Sequence, residues 1–277
     1  MLAPHPGTTN LRGVIVDYHV HLRAPDESLD FTLEAVERIV EVARDQRVDE
    51  IGFSEHVYYF RQTEGVWEVP YQVERCRYDL DAYCAAVLEA KRRGLPVKVG
   101  LEVDWAPRRV ERLAEALEPY PWDFLLGSIH FLDGLALDAR PSVVDALGSP
   151  AAWQRYFTEL GELARSELVD VLAHPDLVKF FGGDVEWDWT SLVGSLDGVC
   201  LEVSTAGRYK PHGQLYPDAA LLESARAAGL AITLASDAHV PAAVGRDFEL
   251  ALAHARGAGY ETVTVFEGRH GRQEPLG

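Results

Sequence analysis

The sequence predicts an α/β protein whose parallel strands close into a barrel, and three observations carry that expectation. Short runs rich in Val, Ile and Leu alternate with amphipathic helical patterns along the chain, which implies parallel pairing through right-handed crossovers. Seven or so such units follow one another, which suits a closed barrel better than an open sheet. No Gly-x-Gly-x-x-Gly follows the first run, so an open doubly wound sheet is the weaker alternative.

The strand-like runs lie near 13–19, 48–54, 97–103, 123–130, 169–173, 198–203 and 230–236, with a shorter one at Thr262–Phe266. Helices are expected from Phe31 to Arg47, Val73 to Arg93, Pro107 to Leu117, Ala151 to Glu167, Asp218 to Ala228 and Ala242 to Ala258. Leu33, Val36, Ile39 and Val40 show the spacing of a helix with one buried face. Gly94, Gly229 and Gly259 stand where glycines end helices. No repeat, low-complexity tract or linker interrupts the pattern, so 1–277 reads as one domain with its core in 13–266.

A formal net charge of −18 argues against a broad nucleic-acid or anionic-membrane surface. No apolar run approaches the ~20 residues that span a bilayer. Met1–Pro6 lacks the basic start and apolar centre of a secretory signal, so a cytosolic protein is expected. Cys76, Cys84 and Cys200 form no CxxC, so neither a disulfide framework nor a thiolate zinc site is expected, and Cys76 and Cys84, within one helix, read as small apolar packers.

Read to their C-terminal ends, the strands share one theme. The first ends in His19 and His21, two residues apart and therefore on one face. The next end in Glu55-His56, Glu102-Val103-Asp104, His130, His174-Pro175-Asp176, Glu202-Val203-Ser204 and Asp237-Ala238-His239. Taken singly, each histidine reads as a core or cleft side chain, and Glu102 or Asp237 as a cap or ion pair. Six of the ten histidines recur at these ends, and in a barrel such positions converge on one mouth. Nitrogen and oxygen ligands without thiolate favour Zn²⁺, Fe²⁺ or Mn²⁺. Eight or nine ligands imply two or three ions, and a carboxylate bridging metals ~3.5–4 Å apart is the usual clamp for phosphoryl transfer to water.

These residues, in this order, resemble the PHP family (polymerase and histidinol phosphatase) from Asp17 to His239. Within it, Gly100–Trp105, Gly127–His130, Ala173–Asp176 and Ser204–Pro211 look most like the monofunctional histidinol-phosphate phosphatases. The resemblance implies a distorted TIM-like (βα)7 barrel and a trinuclear centre. His19, His21, Glu102 and Asp237 would hold the first ion, and Glu102, His130 and His174 the second. His56, His239 and a residue of the loop after His21 would hold the third, where Asp26 is selected and Glu27 is the fallback. It implies hydrolysis of L-histidinol phosphate, in histidine biosynthesis, by a hydroxide bridging two metals. Arg155 and Tyr156 match a phosphate-contacting Arg-Tyr pair. Ser204 replaces the asparagine often found there and keeps a donor for phosphate. Arg208 and Lys210, in the loop after strand six, are further substrate candidates, and Asp176 is a candidate acid for the leaving alkoxide.

Phosphotyrosine or nucleotide phosphoesterases, a nuclease disfavoured by the net charge, and a non-catalytic metal-binding barrel are the rival readings. An amidohydrolase would want a carbamylated lysine at a strand end, and none is seen. The expected partner is a small phosphate monoester, with no nucleic acid or membrane. Amphipathic helices are compatible with a monomer or a homo-oligomer alike.

Overall fold

A computed structural model describes residues 13–24, 26, 28–181 and 185–277. Met1–Pro6, which carried the argument on secretion, and Glu27 lie outside the described residues. In chain order the elements are β1 (Val16–Val20), α1 (Leu33–Asp45), β2 (Glu50–Phe53), α2 (Pro70–Val73), α3 (Leu80–Arg92), β3 (Val97–Val99), β4 (Glu102–Asp104) and α4 (Val110–Leu117). There follow β5 (Leu126–Ser128), a small hairpin of β6 (Phe131–Leu132) and β7 (Leu135–Ala136), α5 (Ser142–Leu147), α6 (Ser149–Arg165) and β8 (Val171–Leu172). The chain ends with α7 (Trp189–Val193), β9 (Cys200–Ser204), α8 (Ala219–Ala227), β10 (Ile232–Ala235), α9 (Phe248–Gly257), β11 (Thr262–Glu267) and β12 (His270–Pro275).

The α1 helix forms where the sequence predicts it. Thr32 caps it by accepting from the Ala35 N–H at 3.2 Å, and Ala35, Val36, Ile39, Val40 and Ala43 form its buried stripe. Gly94, Gly229 and Gly259 take positive φ just beyond α3, α8 and α9, as expected.

The architecture is α/β with two parallel sheets, ordered β1-β2-β3 and β10-β9-β8-β5-β4. The expected closed barrel is not formed as a continuous ladder. Isolated bridges, His56 with Glu102 and Val20 with Ala238, span the two gaps. The first gap has a local cause. The strand expected at 97–103 is two strands, because the chain steps at Gly100-Leu101 from the small sheet to the large one. Gly100 donates to the Phe53 carbonyl at 2.9 Å and lies against the Phe124 ring, which a Cβ there would meet at 2.2 Å. Phe124 in turn stacks on Tyr18 of β1, with centroids 5.0 Å apart.

A buried carboxylate holds the second gap. Asp17 accepts from the Ser236 N–H at 2.9 Å, the Ser236 hydroxyl at 2.6 Å and the Gly245 N–H at 3.0 Å. That ties β1 to the segment after β10 and sets His19 and His21 beside Asp237 and His239.

Two expected helices start well after the sequence places them. The pattern from Val73 to Arg93 breaks after α2, and α3 starts anew at Asp79, whose side chain accepts from the Asp81 N–H at 3.1 Å. Cys76 therefore sits between helices, donating to the Phe60 carbonyl at 2.9 Å, and does not share the helix of Cys84. The last helix begins only at Phe248, after Asp247 adopts a left-handed φ of 59°. β11 pairs antiparallel with β12, a strand that hydrophobic pattern did not suggest. No described helix is long and apolar enough to cross a membrane.

The close approach at Gly100 yields a stability prediction. Gly100→Ala will force the Phe124 ring aside and cost about 1–3 kcal/mol, read as a lower urea midpoint at unchanged m.

Candidate metal centre

The ends of the parallel strands bring eight of the expected ligands together. Glu102, the first residue of β4, is the hub. Its Oε2 lies 2.6 Å from His56 Nδ1 and 3.3 Å from His19 Nε2. Its Oε1 lies 3.2 Å from His174 Nε2 and 3.4 Å from His130 Nε2. His21 Nε2 stands farther off Oε2, at 3.9 Å, so one carboxylate faces two different sets of imidazoles through its two oxygens. Asp237 makes a second node, with Oδ1 at 3.3 Å from His239 Nδ1, 3.4 Å from His21 Nε2 and 3.6 Å from His19 Nε2.

Other acids hold the imidazoles from behind. His19 Nδ1 is 2.7 Å from Glu202, His21 Nδ1 is 3.1 Å from Glu55, and His130 Nδ1 is 2.7 Å from Asp104. Such carboxylate–imidazole pairs fix the tautomer and aim the other ring nitrogen inward. His174 and Asp237 adopt positive φ, 29° and 50°, and backbone held in such sparsely populated regions costs on the order of 1–3 kcal/mol. The turns that aim these two side chains are therefore strained.

Charge balance in the cluster is unusual. Burial works to raise the Glu102 carboxyl, but the imidazoles of His56, His19 and His130 outweigh it and hold the group well below the carboxylate range. Burial likewise opposes protonation of His19, yet Glu202, Glu102 and Asp237 raise it well above the usual imidazole value. For His130, burial is again overcome by Asp104 and Glu102, and the ring is pushed up to about 10. Acids and imidazoles compensate one another by sharing protons.

The residues fit divalent ions on a separate ground. His19 Nε2, His21 Nε2, His56 Nδ1 and Glu102 Oε2 are buried and make no acceptable hydrogen bond among the described residues. Buried polar atoms are rarely left so, and these four are ligand atoms aimed at common points. Three triads have their ligand atoms within 4.8 Å of one another: His19–His21–Glu102, His56–Glu102–His130 and His21–His56–His239.

The PHP domain matches residues 17–206. The chain belongs to the PHP domain family. Among its relatives, this PHP chain is 29% identical to a Deinococcus radiodurans protein named "Probable histidinol-phosphatase", over 85% of this chain and 90% of that one. A Schizosaccharomyces pombe protein of the same name is 22% identical, over 84% of each. A solved structure with a similar fold is the histidinol phosphate phosphatase of Lactococcus lactis, crystallised with zinc, L-histidinol and phosphate. Its TM-score is 0.70 at 22% identity, covering 93% of this PHP chain and 98% of that one.

Several expected site residues stand elsewhere. Asp26 is exposed, its carboxylate accepting from the Ser28 hydroxyl at 2.6 Å and from the Ser28 N–H at 3.1 Å. Arg155 is half-exposed in ion pairs with Glu159 at 3.0 Å and Asp133 at 3.2 Å, outside the cavity over the cluster. Tyr156 is buried beneath His174, donating to its carbonyl at 3.4 Å. Ser204 is buried with its hydroxyl turned to the Ala206 N–H, and Arg208 pairs with Asp247 at 3.4 Å. Asp176 is buried against Lys179 at 2.7 Å and the Asp218 N–H at 2.7 Å, and it too does not line the cavity. Lys210 does line it.

Arg23, Glu55, Asp104 and Glu202 had no role from spacing. The signal for the acids was their place within the strand-end motifs. For Arg23 it was the position two residues past His21.

The elevated His130 implies a measurable pH dependence. Its raised value means the stabilisation is complete below the ordinary imidazole value near 6.5 and fades as pH rises through about 10. Metal-free protein should lose stability over that window, and Asp104→Asn should flatten the loss and bring the His130 titration down, as followed by NMR.

Proposed function

We propose that the chain is a metal-dependent phosphomonoesterase acting on L-histidinol phosphate, releasing L-histidinol and phosphate. The observation that carries the reading is Glu102, with each carboxylate oxygen facing its own set of inward-aimed imidazoles. In this reading His19, His21, Glu102 and Asp237 hold one ion, and Glu102, His130 and His174 a second. Zinc, iron and manganese all suit these donors. Bound there, divalent ions lower the pKa of water toward ~7 and draw charge from a phosphoryl oxygen.

The chain's own part is recognition and orientation. A cavity of about 570 Å³ opens over the cluster. Arg23, Lys210 and Arg140 line it as cations able to meet phosphate oxygens, and an arginine fork does so bidentately. Tyr58, Tyr59, Tyr71, Phe131 and Phe180 give it aromatic walls suited to an imidazole ring. Asp138 is the lining acid outside the ligand cluster, and it suits the ammonium of histidinol. Tyr58 stacks on His56, with centroids 4.9 Å apart, so the aromatic loop after β2 both packs against a ligand and walls the cavity.

The similarity to proteins named histidinol-phosphatase, over most of both chains, supports the substrate. The same reading includes a single domain over 1–277, a distorted (βα)7 arrangement of the strands, and a cytosolic, small-molecule enzyme in histidine biosynthesis.

Chelation should abolish phosphatase activity on L-histidinol phosphate, and Zn²⁺ or Mn²⁺ should restore it. Glu102→Gln should lower kcat on the order of 10²–10³-fold or more with unchanged far-UV circular dichroism. Full activity after metal stripping refutes the reading. A higher kcat/KM for phosphotyrosine or a nucleotide than for L-histidinol phosphate refutes the substrate alone.

A further inference from the structure

The hydroxyl of Ser204, the donor to phosphate expected after β9, is turned to the Ala206 N–H. The residue bridged to Ser204 across the chain is Tyr216. The Ser204 N–H donates to the Tyr216 carbonyl at 2.8 Å, and the Tyr216 N–H donates to the Ser204 carbonyl at 3.0 Å. This pair of bonds fixes the phenol at the end of β9, where it lines the cavity over the cluster. Its ring meets the His174 ring edge-on, with centroids 6.0 Å apart, and the His212 ring at 4.9 Å. Lys179 Nζ stands 5.2 Å from the ring centroid, itself held by Asp176 at 2.7 Å and the Leu215 carbonyl at 2.9 Å. The ring is clamped, yet its hydroxyl is buried without a hydrogen-bond partner among the described residues.

Resting on the phosphoesterase reading, we propose that Tyr216 is a substrate-binding residue: its hydroxyl donates a hydrogen bond to a phosphoryl oxygen, the contact expected of Ser204. A phenol carries its proton at neutral pH and is therefore a donor toward an anion. Buried polar atoms are rarely left unpaired, and a bond from such a donor to a charged oxygen is stronger than one between neutral groups. The hydroxyl is as closed to bulk water as the orphaned ring nitrogens of His19, His21 and His56, so its acceptor is a group held at the cluster itself. Two neighbours favour the phosphoryl end of the substrate over the organic end. The ring lies against His174, which belongs to the Glu102 cluster, and the segment after β9 that carries Tyr216 also sends Lys210 to the cavity.

The test uses the intact chain, stripped by chelation and reloaded with Zn²⁺. Calorimetry with inorganic phosphate should show Tyr216→Phe, which loses one oxygen atom, binding about tenfold or more weakly than the wild type, with equal zinc content. L-Histidinol, which lacks the phosphoryl group, should bind both proteins alike. Ser204→Ala should keep wild-type phosphate affinity, because its hydroxyl serves Ala206. Wild-type phosphate affinity in Tyr216→Phe overturns the inference and leaves the phosphoesterase reading intact. Zinc loss, or an equal weakening toward L-histidinol, also overturns it, because either marks the hydroxyl as structural. A wild type inactive on L-histidinol phosphate, with Tyr216→Phe still weakened toward phosphate, overturns the substrate reading and supports the contact. If Tyr216→Phe does not fold, Ser204→Ala decides: unchanged phosphate affinity supports the inference, and a tenfold loss contradicts it.

Discussion

A single buried carboxylate organises the site. Glu102 is 1% exposed, and an ionised carboxylate at that depth persists only with compensation. Five imidazoles supply it, His19, His21 and His56 at one oxygen and His130 and His174 at the other. The histidines are in turn held by Glu202, Glu55 and Asp104. The protein thus buries a net of alternating acids and imidazoles, each tolerable because of its neighbours. Removing one member leaves others exposed to the full cost of burial.

The fold serves this net through its two gaps. Where Gly100 turns the chain from one sheet to the other, β4 starts with Glu102 bridged to His56, so the hub sits at the junction of the sheets. Across the other gap, Asp17 pins β1 to the segment after β10 and brings two histidines against Asp237. A continuous ladder would space the strands evenly. The breaks let side chains from both sheets crowd a common centre.

Much of this was legible in the sequence, for identifiable reasons. Strand ends carry their ligands in short local motifs, and the period of two puts His19 and His21 on one face. The break at Gly100 was hidden because Val97 to Val103 is uniformly apolar apart from Lys98, Gly100 and Glu102, and periodicity does not register a step between sheets. The orienting acids act across long separations, as Glu202 does on His19, and no local pattern pairs them. Arg155 stands outside the cavity for a related reason. Arg155 sits in an α6 motif of the expected kind, but Glu159, one turn on, and Asp133 claim its side chain. Arg23 reaches the cavity because of the path of an irregular loop. Asp176 has the same history: close to His174 in sequence, it is turned away by Lys179.

The central claim is that Glu102 lies between two ions. Anomalous X-ray diffraction at the zinc edge, on crystals of the zinc-loaded protein, tests it most directly. The account predicts two peaks about 3.5–4 Å apart, one beside His19, His21 and Asp237, the other beside His130 and His174, with the Glu102 carboxylate touching both. A lone peak, or peaks that leave Glu102 outside their coordination, contradicts it.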